Sequence, residues 1–282
     1  MRNQWDCVLQ NLGEWEGSFT HLSPQGELID DIPSVISLTG VNDNQSIHLV
    51  LRRYYPTAPG SSELKPQELA FDFSAPSAGA LFFETGAFSE GSPYFATGIL
   101  FGAEFGFIES DRRMRLIQQF DSSNSQLFKL TLVRERRVGT TAPERPPLAL
   151  DDFLGEWEGE AVTLYRDGRP SVTGNTRVKC DRINQNHLLL SSDKETNCQL
   201  KIAENGNQSC LNFEQNSQQY QILLLPDGAA STCPTQITPG HPFFMEVSWL
   251  IQPNFRQRMI RTYDDNGKWD SLTLVTERQI KI

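Results

Sequence analysis

Leu12-Gly13-Glu14-Trp15-Glu16-Gly17 and Leu154-Gly155-Glu156-Trp157-Glu158-Gly159 are one word written twice, 142 residues apart (157 − 15). The same offset returns at the other end of each copy. Leu130-Thr131-Leu132-Val133 with Glu135-Arg136 matches Leu272-Thr273-Leu274-Val275 with Glu277-Arg278. A match that opens and closes at one spacing is a duplicated domain. Within the word, Gly13, Trp15, Gly17, Phe19 and His21 alternate with Glu14, Glu16, Ser18 and Thr20. That period of two predicts a half-buried strand with Trp15 on its inner face.

Working outward, each half reads as short strands punctuated by Gly, Pro, Asn and Asp. The first half has about nine: near 13–22, 27–40, 46–55, 67–74, 80–85, 94–101, 103–109, 112–120 and 126–137, with a loop from Pro56 to Pro66. Asn3 is placed to cap a short helix over 3–11 that closes one end. Pro143, Pro146 and Pro147 mark a stiff linker. The division is therefore 1–138, a linker at 139–150, and 151–282. The expected fold is all-β: two tandem lipocalin-like antiparallel β-barrels, an internal duplication, each with a short closing helix.

Composition narrows the function classes. The chain of 282 residues is 38% hydrophobic and carries a net charge of −10, and a length of this order suits two domains. An acidic body disfavours nucleic acid as a partner. No apolar run is long enough for a membrane span, and the start lacks a signal core. The odd count of five cysteines, with no CxxC pair, suits a reducing compartment, so a cytoplasmic location is expected. No GxSxG, HExxH, P-loop or GxGxxG occurs. A non-catalytic binding role is expected.

The first and last strands of an up-and-down barrel are neighbours. Trp15 is therefore expected to meet Arg136, and Trp157 to meet Arg278, in a cation–π contact on the barrel floor. Gly13 and Gly155 belong to that floor. Candidate ligand contacts are Phe19 and His21 on the inner face of the first strand, and two basic clusters able to hold a carboxylate or propionate at the mouth: Arg52-Arg53-Tyr54-Tyr55, and Arg113 with Arg115. The second copy has Thr163 in place of His21. Phe82, Phe83, Phe101, Phe105 and Phe107 are expected to supply apolar wall.

A Gly-x-Trp on the first strand with an Arg from the last strand resembles the calycin signature, the group that contains lipocalins and fatty-acid-binding proteins. Gly13/Trp15 with Arg136 and Gly155/Trp157 with Arg278 carry it. The whole chain also resembles an uncharacterised lipocalin-like family of cyanobacteria and plastids. Among calycins, the phycobiliprotein chromophore lyases and nitrobindin-type haem barrels are similar in layout. The resemblance implies a small hydrophobic ligand, a tetrapyrrole or a fatty-acid-like lipid. The alternatives it leaves are a bilin lyase acting on a pigment protein, or an interaction module with filled barrels.

Overall fold

The computed structural model describes residues 3–58, 60–192, 197–203 and 209–280. One position of the expected Pro56–Pro66 loop, residue 59, lies outside them, as do the first two residues of the N-terminal reading. Helix α1 (Gln4–Val8) starts where Asn3 accepts a hydrogen bond from the Asp6 amide, as the capping reading expects. Nine strands follow: β1 (Gly13–Leu22), β2 (Leu28–Val41), β3 (Ser46–Pro56), β4 (Leu64–Phe73), β5 (Ala80–Phe82), β6 (Phe88–Gly91), β7 (Phe101–Glu109), β8 (Arg112–Phe120) and β9 (Leu127–Arg137). The strand expected near 94–101 is instead β6, which lies earlier.

After a second short helix, α2 (Leu150–Phe153), ten more strands follow: β10 (Gly155–Tyr165), β11 (Val172–Arg182), β12 (His187–Ser192), β13 (Cys198–Ile202), β14 (Cys210–Gln215), β15 (Gln218–Leu224), β16 (Ala229–Pro234), β17 (Phe243–Gln252), β18 (Phe255–Tyr263) and β19 (Trp269–Gln279). All ladders are antiparallel. The fold is all-β, and none of its helices is long and apolar enough to cross a membrane.

The two copies close differently. β10 to β19 form a closed barrel, with β19 returning to pair with β10. The first copy is a nine-stranded sheet in the order β4-β3-β2-β1-β9-β8-β7-β6-β5, so β4 and β5 are its two edges. The ladders explain the difference. Ser89 pairs with Phe105 where Ser231 pairs with Val247, and Leu81 pairs with Ser89 where Leu223 pairs with Ser231. The 142-residue offset therefore matches β5 to β15 and β6 to β16. β14 has no counterpart, because only residues 74–79 connect β4 to β5. The first copy is a barrel short of one strand, curled but open along one side.

The repeated word owes its second glycine to a close approach. A Cβ on Gly17 would sit 1.8 Å from the Arg134 carbonyl oxygen, and one on Gly159 would sit 2.0 Å from that of Thr276. Only a bare Cα lets the last strand lie against the first at that point.

The halves are packed face to face. Phe101, Phe105, Phe107, Met114, Leu116, Leu130 and Leu132 share one buried cluster with Met245, Val247, Trp249, Met259, Leu272 and Leu274. Polar groups lock it. Gln118 donates to Ser231 Oγ at 2.8 Å, and the Gln221 amide donates to the Pro24 carbonyl at 2.7 Å. Arg261, fully buried, stacks on Trp269 at 3.4 Å and donates to the Gly79 and Ser92 carbonyls of the first half. Phe101, Phe105 and Phe107 thus form the joint between the halves, a correction to their expected place on a cavity wall. Residues on both faces of β7, β8 and β9 are buried, one face inside the first copy and one against the other half, so apolar alternation alone does not say which side is inside.

Candidate functional site

Trp15 is fully buried at the closed end of the first copy, and its indole nitrogen donates to the Asn11 carbonyl at 3.1 Å. Two guanidiniums lie over its ring, Arg137 at 4.2 Å and Arg113 at 4.7 Å. Arg136 does not. It pairs with Glu16 at 2.9 Å and is half exposed. In the second copy Arg256 lies over Trp157 at 4.1 Å, while Arg278 lies over Phe255 at 4.6 Å. The expected floor arginines are therefore corrected by one residue of register. Ladder pairing places Arg137 opposite Trp15, and Gln279 opposite Trp157. Arg137 Nη1 donates to the Leu12 carbonyl at 3.0 Å, and Gln279 Nε2 donates to the Leu154 carbonyl at 3.1 Å. The floor position is thus repeated in role though not in residue type. Arg136 shares a strand face with Leu130 and Leu132, but that face looks toward the other half.

Beneath each Trp lies an ion network that sequence reasoning found only in part. Glu135 is fully buried and accepts from Arg113 Nε at 2.7 Å, Arg115 Nη2 at 3.0 Å and Arg115 Nε at 3.1 Å. Arg115 also reaches Glu104 at 2.7 Å. Burial pushes the Glu135 carboxyl up, but the two guanidiniums outweigh it and hold the group at about 2. The second copy repeats the set. Glu277 accepts from Arg256 at 2.6 Å and Arg258 at 3.0 Å, Arg258 reaches Glu246 at 3.1 Å, and Glu277 is held at about 2. The signal for the glutamates was present in the repeated Glu135/Glu277, but a charged residue inside a barrel runs against the usual alternation.

The first copy encloses a cavity of about 330 Å³ on its inner side. Its apolar wall is Val8, Ile36, Leu38, Leu49, Phe71, Phe73, Phe82 and Phe88. Its polar lining includes Asn11, Glu90, Glu104, Arg113 and Arg115. Phe71 and Phe73 come from edge strand β4, and Phe82 from edge strand β5, so the cavity lies along the side where the sheet fails to close. Two polar atoms at its floor are buried without a hydrogen-bond partner among the described residues: Arg113 Nη2 and Asn11 Oδ1.

The remaining candidates separate. Phe19 lies on the inner face, with Arg115 at 5.4 Å and Arg53 at 5.9 Å from its ring. His21 is engaged with Asp30 at the far end of β1 and is not part of the cavity lining. Arg52 pairs with Glu68 on the outside. Strand alternation sends Arg52 and Tyr54 outward and Arg53 and Tyr55 inward, so residues 52–55 do not form one basic surface. Adjacent on β2, Asp30 and Asp31 point to opposite faces, Asp30 engaging His21 and Asp31 engaging Thr20. Among the described residues no group of three or more His, Cys, Asp or Glu is placed to hold a metal ion.

Several known proteins share parts of this architecture. Residues 1–140 match the N-terminal domain of unknown function DUF3598, and residues 144–280 match the C-terminal domain of Biogenesis factor required for ATP synthase 1. Among curated proteins nothing matches the chain. The crystal structure of a protein of unknown function from the DUF3598 family of Nostoc punctiforme PCC 73102 is 43% identical, with a TM-score of 0.89, over 99% of this chain and 100% of that one. The S-type phycobiliprotein lyase CPES of Guillardia theta overlaps 47% of this chain and 91% of its own at 12% identity, with a TM-score of only 0.36. Near-complete coverage at 43% identity settles the relationship: the chain belongs to the DUF3598 family.

Proposed function

We propose that the first half is a binding module for a small, mainly apolar molecule, held in the open-sided cavity above Trp15, and that the second half is its rigid support. The observation that carries this reading is the cavity itself: apolar walls, a few polar groups gathered at one end, and a side opened by the missing strand. That is the usual composition of a ligand pocket. Its volume of about 330 Å³ stands at the low end of the ~300–1,000 Å³ range of such pockets. A short acyl chain or a single-ring compound suits it better than an open-chain tetrapyrrole or haem. The interior of the second copy holds a stack of three aromatic rings. Phe213 lies on Tyr220 at 5.0 Å, and Tyr220 on Phe244 at 4.6 Å.

Native mass spectrometry with an absorption scan, on protein purified from a pigment-containing host, tests this. The expected result is a small, colourless bound mass. A chain that stays ligand-free after exposure to short fatty acids, their amides, bilin and haem would refute it.

A second reading has one observation in its favour. Edge strand β4 presents Leu64, Leu69 and Phe71 partly to solvent, at 45%, 51% and 46% exposure. An unpaired apolar edge can accept another chain, which suits a role in assembly such as the name of the second half's matching domain suggests. A stable protein partner with no retained small molecule would favour that reading.

A further inference from the structure

Both buried unpartnered atoms at the cavity floor belong to residues that also touch Trp15. Arg113 lies over the indole, and Asn11 accepts its N–H through the backbone. Arg113 is 2% exposed and Asn11 is 4% exposed. Arg113 spends Nε on Glu135, and Asn11 spends Nδ2 on the Gly86 carbonyl at 3.0 Å. Arg113 Nη2, a donor, and Asn11 Oδ1, an acceptor, are both buried without a hydrogen-bond partner among the described residues. A buried polar atom without a partner is costly, and two of opposite kind around one floor define a complementary group.

Charge decides which group. Each guanidinium at the floor already has a carboxylate: Arg113 pairs with Glu135, Arg115 with Glu135 and Glu104, and Arg137 lies 3.8 Å from Asp111, while Glu90 adds a further carboxylate to the lining. The arginines are already neutralised. An incoming anion would be desolvated against a site that holds no surplus positive charge.

The second copy gives an internal control. One residue before each Leu-Gly-Glu-Trp, the first copy has Asn11 and the second has Phe153. The Phe153 ring lies 6.0 Å from the Arg256 guanidinium. The acceptor has thus been replaced by an aromatic ring in the second copy, while the Trp and the arginines were kept.

We infer that the first-half cavity selects ligands whose head group is uncharged and offers both an acceptor and a donor, such as a carboxamide or an alcohol, with the acceptor facing Arg113 Nη2 and the donor facing Asn11 Oδ1. This rests on the binding reading above and refines the expectation of a carboxylate anchored by Arg113 and Arg115. Phe19, Arg53 and His21 take no part in it.

The test uses a matched series of six to ten carbons, each chain length as the amide, the alcohol and the carboxylate. Binding is read at pH 8 by calorimetry and by the shift of the Trp15 indole N–H resonance. The expected result is that the amide binds at least tenfold more tightly than the carboxylate of equal length. Asn11→Phe, which copies the second half, should remove that preference while the folded spectrum persists. Carboxylate binding equal to or tighter than amide binding overturns the head-group inference and leaves the cavity reading standing. Failure of every member of the series to shift Trp15 overturns the cavity reading itself.

Discussion

Replacing Glu135 by Gln removes the carboxylate on which two buried arginines converge, and its cost can be worked from the geometry. Glu135 is fully buried, with Arg113 and Arg115 at 2.7–3.1 Å. Removing one partner of a buried ion pair leaves uncompensated charge and costs about 3–5 kcal/mol. The depressed carboxyl follows from the same contacts and points the same way. A carboxyl moved from 4.5 to about 2 corresponds to roughly 3 kcal/mol at ~1.4 kcal/mol per unit. The sign follows from the direction. The folded-state value is depressed, so the stabilisation is present above pH 4.5 and is lost as pH falls toward 2. In urea, with a slope of about 3 kcal/mol/M, Glu135→Gln should move the midpoint down by roughly 1 M at pH 7. The variant should also lose part of the wild-type decline in stability between pH 4.5 and pH 2. The part that remains is expected from Glu277, held equally low in the second copy. An unchanged midpoint at pH 7, or an undiminished acid decline, would refute the claim that this network is buried and charged.

Three further substitutions test register and the joint between halves. Arg137→Ala should destabilise by about 1–2 kcal/mol through loss of the contact over Trp15, whereas Arg136→Ala, on an exposed pair, should cost less than about 1 kcal/mol. Equal effects, measured by chemical denaturation, would contradict the assignment of Arg137 to the floor. Arg261→Met keeps bulk on Trp269 but removes the bonds to Gly79 and Ser92. Calorimetry should then show the single transition expected of the coupled halves broaden or split in two. One sharp transition at the original temperature would mean that the apolar joint alone couples them.

The duplication was legible because its ends are rigidly spaced, and the all-β class because period-two alternation and turn residues recur along each half. The floor arginine was misplaced because the repeated Glu-Arg pair drew attention to Arg136 and Arg278. The true partner is the next residue, where the copies differ as Arg137 and Gln279. Leu130 and Leu132 share the strand face of Arg136 and not that of Trp15. They are apolar because they meet the other half, and a sequence carries no label that tells an inner face from a face buried by a neighbouring domain. Asn11 escaped notice for a related reason. It lies in the helical turn before the strand, where its backbone and side chain serve the Trp and the loop at Gly86, and nothing in periodicity marks such a residue. Its contrast with Phe153, at the same 142-residue offset, was the available signal.

That offset also shows that the two interiors are filled by different residues. Tyr220 and Phe244, which stack in the second barrel, correspond to Ala78 and Gly102 in the first. Phe213, the third ring of the stack, rides on β14, the strand the first copy lacks. Against these, the first interior carries Phe82 and Phe88, stacked at 4.9 Å, where the second has Leu224 and Ala230, so the rings are placed differently in the two interiors while the Trp, the arginines and the glutamates beneath are kept in both. A closed barrel must fill its core or lose packing energy. A barrel missing a strand can leave its core open only if something offsets the loss. Leu49→Phe adds bulk on a wall of the cavity. If the hollow is maintained for a ligand, this substitution should raise the stability of the ligand-free protein by about 1 kcal/mol, or a few degrees in melting temperature. It should also weaken binding of a short-chain amide at least tenfold. Stability and binding moving in opposite directions is the signature of a cavity kept at the expense of packing. A variant that is destabilised, yet binds as before, would mean that the wall at Leu49 is already fully packed and that the ligand lies elsewhere.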